Sequence, residues 1–287
     1  MYYVTSDIHG SLDRFNHLLD ILSLNENDTL FVLGDMIDRG KDSIPVLQTM
    51  MSSKQIIPFI GNHEHLMLCA LKELEEIIRT QQKVTSWKHE YYARNWLHPG
   101  NGGKATYSQL QELDERERNR ILAYVKSAYV QKQVTVGDRH FLLCHGSGFG
   151  LPTKGDIRYC TGDVEALYPA DLPDMLLQEE MLDSESSSGK KLYGAIWHAP
   201  YRIWSDEKVP LEVFARYPYT FILGHTPVQS VLENVQDQHG HVPEIYHEGN
   251  VYVIDGGCAL RSRLGYTDAD TALLCLCLDT METFTVQ

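Results

Sequence analysis

The chain has 287 residues, 43% hydrophobic and 22% charged, with a formal net charge of −14. That acidic balance argues against a nucleic-acid partner or an anionic membrane surface, since both need a basic face. The chain starts at once on an apolar strand, without a basic-then-apolar leader or a membrane-length run, and its six cysteines are scattered with no Cys-x-x-Cys. A soluble, monomeric, cytoplasmic protein with reduced thiols is the expectation.

Three apolar runs follow one another, and each stops on a polar cluster. Val4-Thr5-Ser6 runs into Asp7-Ile8-His9-Gly10, and Leu30-Phe31-Val32-Leu33 into Gly34-Asp35-Met36-Ile37-Asp38-Arg39-Gly40. Ile56-Ile57-Pro58-Phe59-Ile60 runs into Gly61-Asn62-His63-Glu64. Between them lie two amphipathic helices. Ser11 can cap the first, with Leu12, Phe15, Leu18, Leu19 and Leu22 on one face. The second carries Ile44, Val46, Leu47, Met50 and Met51, and Pro45 fits its first turn. Asp7, Asp35 and Asn62 are spaced by 28 and 27 residues, about one β-α-β unit each, so a parallel sheet is expected. Ligands in such sheets sit beyond the carboxyl ends of the strands, so the three clusters should converge.

Residues 65–132 read as a charged helical insertion, with helices over Leu66–Ile78 and Leu110–Val130. The aromatics between them, Trp87, Tyr91, Tyr92 and Trp96, suit core packing, or alternatively a wall of a cleft. Val134–Val136, Gly137-Asp138 and His140–Cys144 read as a tight hairpin ending on His145-Gly146. Residues 146–215 are a variable, loop-rich region, in which Ser184-Glu185-Ser186-Ser187-Ser188-Gly189 is expected to be a mobile segment. Phe221-Ile222-Leu223 then ends on Gly224-His225-Thr226-Pro227, and Val251–Ile254 on Asp255-Gly256-Gly257. Ala272–Leu278 is a final buried strand. Nothing divides the chain, and a single domain over 1–287 is expected.

The polar residues at these strand ends are Asp7, His9, Asp35, Asp38, Arg39, Asn62, His63, His145 and His225. Asp7 and His9 are two apart, so on an extended segment both side chains would face one way and could grip one ion. Oxygen and imidazole ligands together suit Mn, Fe, Zn or Ni, and the absence of Cys argues against a closed structural zinc site. There are ligands enough for two ions sharing a carboxylate. Such a pair, about 3.5–4 Å apart, clamps the attacking and leaving oxygens in phosphatases. Asp-x-His alone is a weak signal, and Gly-Asn-His-Glu alone a moderately specific one. In order, at β-α-β spacing, they are a strong one. His65, His89, His98 and His198 read as packing or surface residues, and His239-Gly240-His241 as a turn. Arg261 and Arg263 read as solvated residues at a rim.

These motifs resemble those of the calcineurin-like metallophosphoesterases, and within them the Ser/Thr phosphatase branch, most closely its compact bacterial and bacteriophage members. Asn101-Gly102-Gly103, His145, Gly224-His225-Thr226-Pro227 and Ile254-Asp255-Gly256-Gly257 extend the resemblance along most of the chain. Ser6 departs from it, standing where the first motif usually has Gly. The resemblance implies an α/β fold, a four-layer α/β/β/α sandwich with a helical insertion. It implies two divalent ions, manganese first, with Fe, Zn, Ni or Mg as alternatives. Asp7 and His9 would bind one ion, Asp35 would bridge, and Asn62, His145 and His225 would bind the other. It further implies in-line attack on phosphorus by a metal-bridging water or hydroxide. His63 would act as general acid with Asp38 behind it, and Arg39 and Asn62 would hold the phosphate. Bacterial relatives usually carry a second phosphate-binding Arg after an Ile/Leu-Trp pair. Here Ile196-Trp197 is followed by His198-Ala199-Pro200-Tyr201-Arg202, so Arg202, or Arg158, is the substitute, or the contact is absent. The leading function is a phosphomonoesterase of protein-phosphatase type acting on a phosphorylated protein or small phosphoester. A dinucleoside tetraphosphate hydrolase and an inactive metal-binding scaffold are the alternatives.

Overall fold

Alternate residues of each strand face opposite ways, and the apolar ones sort into three separate cores. In the computed structural model, residues 1–80, 91–148, 165–168, 173, 192, 195–201, 208–236, 243–261, 263 and 265–287 are described. The amino-terminal part runs β1 (Tyr2–Thr5), α1 (Leu12–Leu22), β2 (Thr29–Val32), α2 (Ser43–Met51) and β3 (Ile56–Pro58). Its three strands are parallel neighbours, as the spacing predicts. There follow α3 (Asn62–Thr80), α4 (Tyr91–Trp96), α5 (Gly103–Glu112), α6 (Glu115–Lys126), β4 (Tyr129–Val136), β5 (Arg139–Cys144) and β6 (Glu165–Leu167). The remaining strands are β7 (Thr220–Leu223), β8 (Tyr246–Glu248), β9 (Val251–Val253), β10 (Leu273–Cys277) and β11 (Thr283–Val286). They form two mixed sheets, ordered β11-β10-β1-β2-β3 and β6-β4-β5-β7-β9-β8. In the second sheet β5, β7 and β9 are parallel.

Tyr3, Leu30, Val32 and Cys275 pack on Phe15 and Leu18 of α1 and on Val46 and Leu47 of α2. Their neighbours Val4, Phe31, Leu33 and Leu276 face Phe141, Leu143 and Ile222 of the other sheet. On that sheet's far side, Leu142, Phe221 and Leu223 meet Val228 and Val231 of the helix Val228–Gln236. Helix, sheet, sheet, helix: these are the four layers expected. The described cysteines are buried and none forms a disulfide; Cys144, Cys275 and Cys277 pack within the apolar cores. No helix among the described residues is long and apolar enough to cross a membrane.

The helix expected over Leu110–Val130 is two helices and the start of a strand. Asp114 ends the first reading: its side chain accepts a hydrogen bond from the Glu117 backbone N–H at 2.8 Å and caps α6. Asp followed three residues later by Glu is capping-box spacing, a start signal inside what periodicity alone reads as continuous helix. From Tyr129 the chain pairs with β5 as strand. α3 starts at Asn62, within the Gly-Asn-His-Glu motif itself, rather than at Leu66. β8 is a short, largely exposed edge strand without an apolar alternation to announce it, whereas β11 alternates Thr283, Phe284, Thr285 and Val286 with Val286 buried, a strand signal four residues long. Trp87, His89, Arg158, the 184–189 stretch, Arg202 and His239-Gly240-His241 lie outside the described residues.

Phe59 is fully buried between the sheets, its ring 6.1 Å from Phe31 and 5.7 Å from Tyr129. Phe59→Ala should lower stability by about 3–5 kcal/mol. Urea unfolding should show this as a lower midpoint at unchanged slope.

Candidate metal centre

Six parallel strand ends meet at one place. The loops after β1 and β2 are joined by backbone hydrogen bonds, Asp7 N–H to Gly34 O (3.1 Å), His9 N–H to Asp35 O (2.9 Å) and Gly10 N–H to Met36 O (3.0 Å). The loop after β5 joins them where His145 Nδ1 donates to Leu33 O at 2.6 Å. The loop after β7 joins where the His225 N–H donates to Asp7 Oδ2 at 3.0 Å. β9 ends on Asp255, buried beside them.

These loops are held in a conformation that side chains resist. Asp7, His9, Asp35, Asp38, Arg39 and His225 all have positive φ, from 46° to 70°. Non-glycine residues seldom adopt that region, and where they do the surrounding packing dictates it. The extended-segment reason for pairing Asp7 with His9 is therefore wrong. β1 has ended at Thr5, and left-handed turns at both residues bring their side chains to the same cluster.

Glu64 supplies much of the dictation. Its buried carboxylate accepts from the backbone N–H groups of Asp35 (2.9 Å), Met36 (2.8 Å), Ile37 (3.3 Å) and Gly61 (2.9 Å). Gly61 is glycine for a nearby reason: a Cβ there would strike the Asp35 carboxylate. Glu64 closes the sequence motif, but nothing in the pattern says that it works on backbone rather than on a ligand.

Two groups of potential ligands share Asp35. Acceptor atoms of His9, Asp35 and His63 form one, and those of Asp35, His145 and His225 the other, all within 4.8 Å in each group. His9 Nε2 lies 3.5 Å from Asp35 Oδ2, and His145 Nε2 lies 3.4 Å from Asp35 Oδ1. Asn62 Oδ1 is 3.0 Å from His145 Nε2 and 2.9 Å from His225 Nδ1. Asp7 sits at the edge, Oδ1 4.0 Å from His9 Nε2, while Oδ2 accepts from Ser6 Oγ and the His225 amide. Ser6, the residue out of pattern, thus hydrogen-bonds a predicted ligand.

His9 Nδ1 donates to Ile37 O at 3.0 Å, as His145 Nδ1 does to Leu33 O. A carbonyl can only accept, so each ring keeps its lone pair on Nε2, turned toward Asp35. Burial and mutual repulsion work against charge here. Burial, then Asp255 and Asp35, push Asp7 well up; burial, then Glu64, push Asp35 up. Burial, then His63, push His9 well down. Burial likewise raises Glu64 and Asp255 to about 7. Lone pairs of carboxylate, amide and imidazole converge here, and burial disfavours charge on the groups that carry them. A pair of divalent cations relieves this arrangement, so the donor set fits the two ions that the sequence implies.

Beside the ligands stands a second construction. His63 Nδ1 donates to Asp38 Oδ2 at 2.8 Å, and its Nε2 lies 3.4 Å from Arg39 Nη2. Asp38 also accepts from Trp96 Nε1 (2.9 Å) and Thr106 Oγ1 (2.6 Å). Trp96 is fully buried against Tyr107, so core packing was the right reading of it but not the whole one. A Cβ on Gly102, whose φ is 76°, would stand 2.7 Å from the Arg39 amide, which places the Asn-Gly-Gly segment against the same loop. Trp197 packs edge-on to His225, ring centres 5.6 Å apart. His65 and His198 are buried, His65 meeting the Tyr168 hydroxyl at 3.1 Å, and His98 is exposed.

The calcineurin-like phosphoesterase family profile matches residues 2–241. The chain belongs to that family. Among curated relatives, a symmetrical bis(5'-nucleosyl)-tetraphosphatase of Wigglesworthia glossinidia brevipalpis is 35% identical over 86 residues, 29% of this chain and 31% of that protein. The zinc-dependent endopolyphosphatase of Saccharomyces cerevisiae is 40% identical over 72 residues, 24% of this chain and 22% of that one. The chain thus matches less than a third of the length of these relatives. A solved metallophosphoesterase from Sphaerobacter thermophilus covers 100% of this chain and 88% of its own at 15% identity, TM-score 0.46. A Saccharomyces cerevisiae protein serine/threonine phosphatase covers 100% and 79% at 11% identity, TM-score 0.49.

The buried carboxyls make a pH prediction for this phosphoesterase without its metals. Glu64 and Asp255 have folded values near 7 against ordinary values of 4.5 and 3.8. Their contribution is full below the unfolded values and is lost as pH rises through about 7. His65, held at about 4 by burial, contributes oppositely, losing stability as pH falls below 6.5. Asp7 and Asp35, also raised, act with these two carboxyls, while His9 and His63, also lowered, act with His65; four carboxyls outweigh three imidazoles. Chelated protein should therefore melt lower at pH 7 than at pH 5, and protein loaded with divalent metal should lose that slope. Equal slopes in both forms would overturn the account.

Asp38 generates another. Trp96→Phe keeps most of the buried ring but removes its donor, and should lower stability by about 1 kcal/mol. It should also lower turnover severalfold with Km little changed, measured on an alkyl phosphate.

Proposed function

We propose that the chain is a dinuclear metal-dependent hydrolase of phosphate esters and anhydrides, with His63 as proton donor to the leaving group. The supporting observation is the His63 imidazole, set between Asp38 and Arg39 and lying within one of the two potential ligand groups that share Asp35. The metal pair, when bound, would supply Lewis acidity toward the phosphoryl oxygens and a water of lowered pKa. Asp7, His9 and Asp35 would hold one ion, and Asp35, Asn62, His145 and His225 the other.

The residues of the chain do the rest. Geometry alone would also admit His63 as a ligand, since its Nε2 is 3.9 Å from Asp35 Oδ2. Its Nδ1 hydrogen bond to Asp38 favours the acid role: the carboxylate fixes the tautomer and supports the imidazolium, leaving Nε2 to deliver a proton. Burial lowers the His63 pKa, and the Asp38 hydrogen bond opposes that fall. Arg39 Nε is buried without a hydrogen-bond partner among the described residues, so its planar fork has donors left for two phosphoryl oxygens. Asn62 stands where its amide could meet both metal and phosphate.

For the substrate we place a dinucleoside polyphosphate ahead of a phosphoprotein. The tetraphosphatase named among the relatives supports this order, while the His63–Asp38 pair supports the phosphomonoester, whose alkoxide needs a proton most. Manganese is the first metal to try, and a dinucleoside tetraphosphate, a phosphopeptide and p-nitrophenyl phosphate are the substrates to compare. Tetraphosphate should be cleaved fastest; a phosphopeptide cleaved faster would reverse the order. His63→Asn should reduce turnover of an alkyl phosphate by about 10²–10⁴-fold and retain both metal ions by calorimetry. Wild-type turnover in that variant would remove His63 from the acid role.

A further inference from the structure

Of the proposed metal ligands, Asp7 alone follows a residue with a hydroxyl. Ser6 is fully buried, and its Oγ lies between two acceptors, Asp7 Oδ2 and the Leu33 carbonyl, the latter at 3.2 Å. A hydroxyl has one hydrogen to give. Leu33 O already accepts from His145 Nδ1 at 2.6 Å, and Asp7 Oδ2 is the nearer acceptor, so the hydrogen goes to Asp7. The same Oδ2 accepts from the His225 N–H at 3.0 Å. Two donors thus hold Oδ2, and Oδ1 is left on the His9 side, 4.0 Å from His9 Nε2. The packing leaves this arrangement little room to change. A Cβ on Gly224 would strike both Ser6 Oγ and Asp7 Oδ2, so the glycine before His225 closes directly over the pair.

We propose that Ser6 is a positioning residue for the ion assigned to Asp7 and His9: its hydroxyl fixes the Asp7 carboxylate so that Oδ1 alone is presented to that ion. The proposal rests on the two-ion reading given above. A carboxylate whose Oδ2 is engaged by two donors does not turn to offer both oxygens without breaking both bonds, so Asp7 keeps one orientation whether or not the ion is present. Glycine, usual at this place in the family, would leave the His225 amide as the only described donor to Oδ2. The outer supports of the two ions meet at this serine, because the carbonyl on its other side is the one that orients His145. Its single hydrogen serves Asp7, while His145 keeps its own bond to Leu33. Removing the hydroxyl therefore acts on one ion and not on the other.

The test is calorimetric titration of manganese into the metal-free full chain, with the electron paramagnetic resonance spectrum of the loaded protein as a second readout. Ser6→Ala should weaken one of the two ions about 10–100-fold and the other less than about threefold. Asp7→Asn should weaken the same ion, which identifies it. At metal sufficient to load both sites of the wild type, Ser6→Ala should show an isolated ion where the wild type shows a coupled pair. Ser6→Gly should behave as Ser6→Ala does, since both lack the hydroxyl. Equal weakening of both ions, weakening of neither, or weakening of the ion that Asp7→Asn spares would overturn the assignment. So would a loss in Ser6→Gly that Ser6→Ala does not share, which would trace the effect to volume. Wild-type protein that takes up fewer than two ions would overturn the two-ion reading and this assignment with it. Wild-type protein that shows the expected pattern yet hydrolyses no phosphate ester or anhydride would defeat the hydrolase reading alone.

Discussion

Glu64 is the group on which the site depends. One buried carboxylate accepts four backbone N–H groups from the turns after β2 and β3, and those turns carry Asp35, Asp38, Arg39, Asn62 and His63. Six site residues occupy left-handed backbone, which isolated side chains would leave. A surface loop could not hold them there. A carboxylate fixed in the first turn of a 19-residue helix can, because moving it means moving α3.

The two sheets divide the proposed ligands in a way that would make folding a condition of metal binding. Asp7, His9, Asp35, Asn62 and His63 follow strands of the first sheet, while His145 and His225 follow strands of the second. Only Asp35 belongs to both ligand groups. The apolar layer of Phe31, Phe59, Phe141 and Ile222 between the sheets therefore sets the distance between the two groups. Packing and the proposed metal site share that layer, and a cavity in it would loosen the site as well as the fold.

What was legible in the sequence follows from where information is local. Strand, motif, helix and strand again is a short-range pattern, and it shows the parallel unit, the convergence of Asp7, Asp35 and Asn62, and the later arrival of His145 and His225. Asp114 was legible too, as a capping signal overlooked in favour of periodicity. Other roles were not. Glu64 acts on amides that any sequence possesses, the Ser6 hydroxyl meets Asp7 and the Leu33 carbonyl only in the fold, and Trp96 looks like any buried aromatic. Arg261 and Arg263 are alike in sequence, and only the pairing of Arg261 with Asp13 and Asp268, distant and near along the chain, separates them. Arg202, the residue expected to compensate for a missing arginine, lies where sequence alone still speaks.

The helical insertion is more than a cover for the site. Trp96 at the end of α4 and Thr106 in α5 both donate to Asp38, and Gly102 between them lies against the Arg39 backbone. The insertion thus orients the carboxylate behind the proposed acid and the guanidinium proposed to hold phosphate. Trp96 is also fully buried in the core shared by α3 and α5. An insertion that only shaped a cleft could vary freely without touching the chemistry. This one cannot, because its packing and the support of the proposed proton donor pass through the same indole.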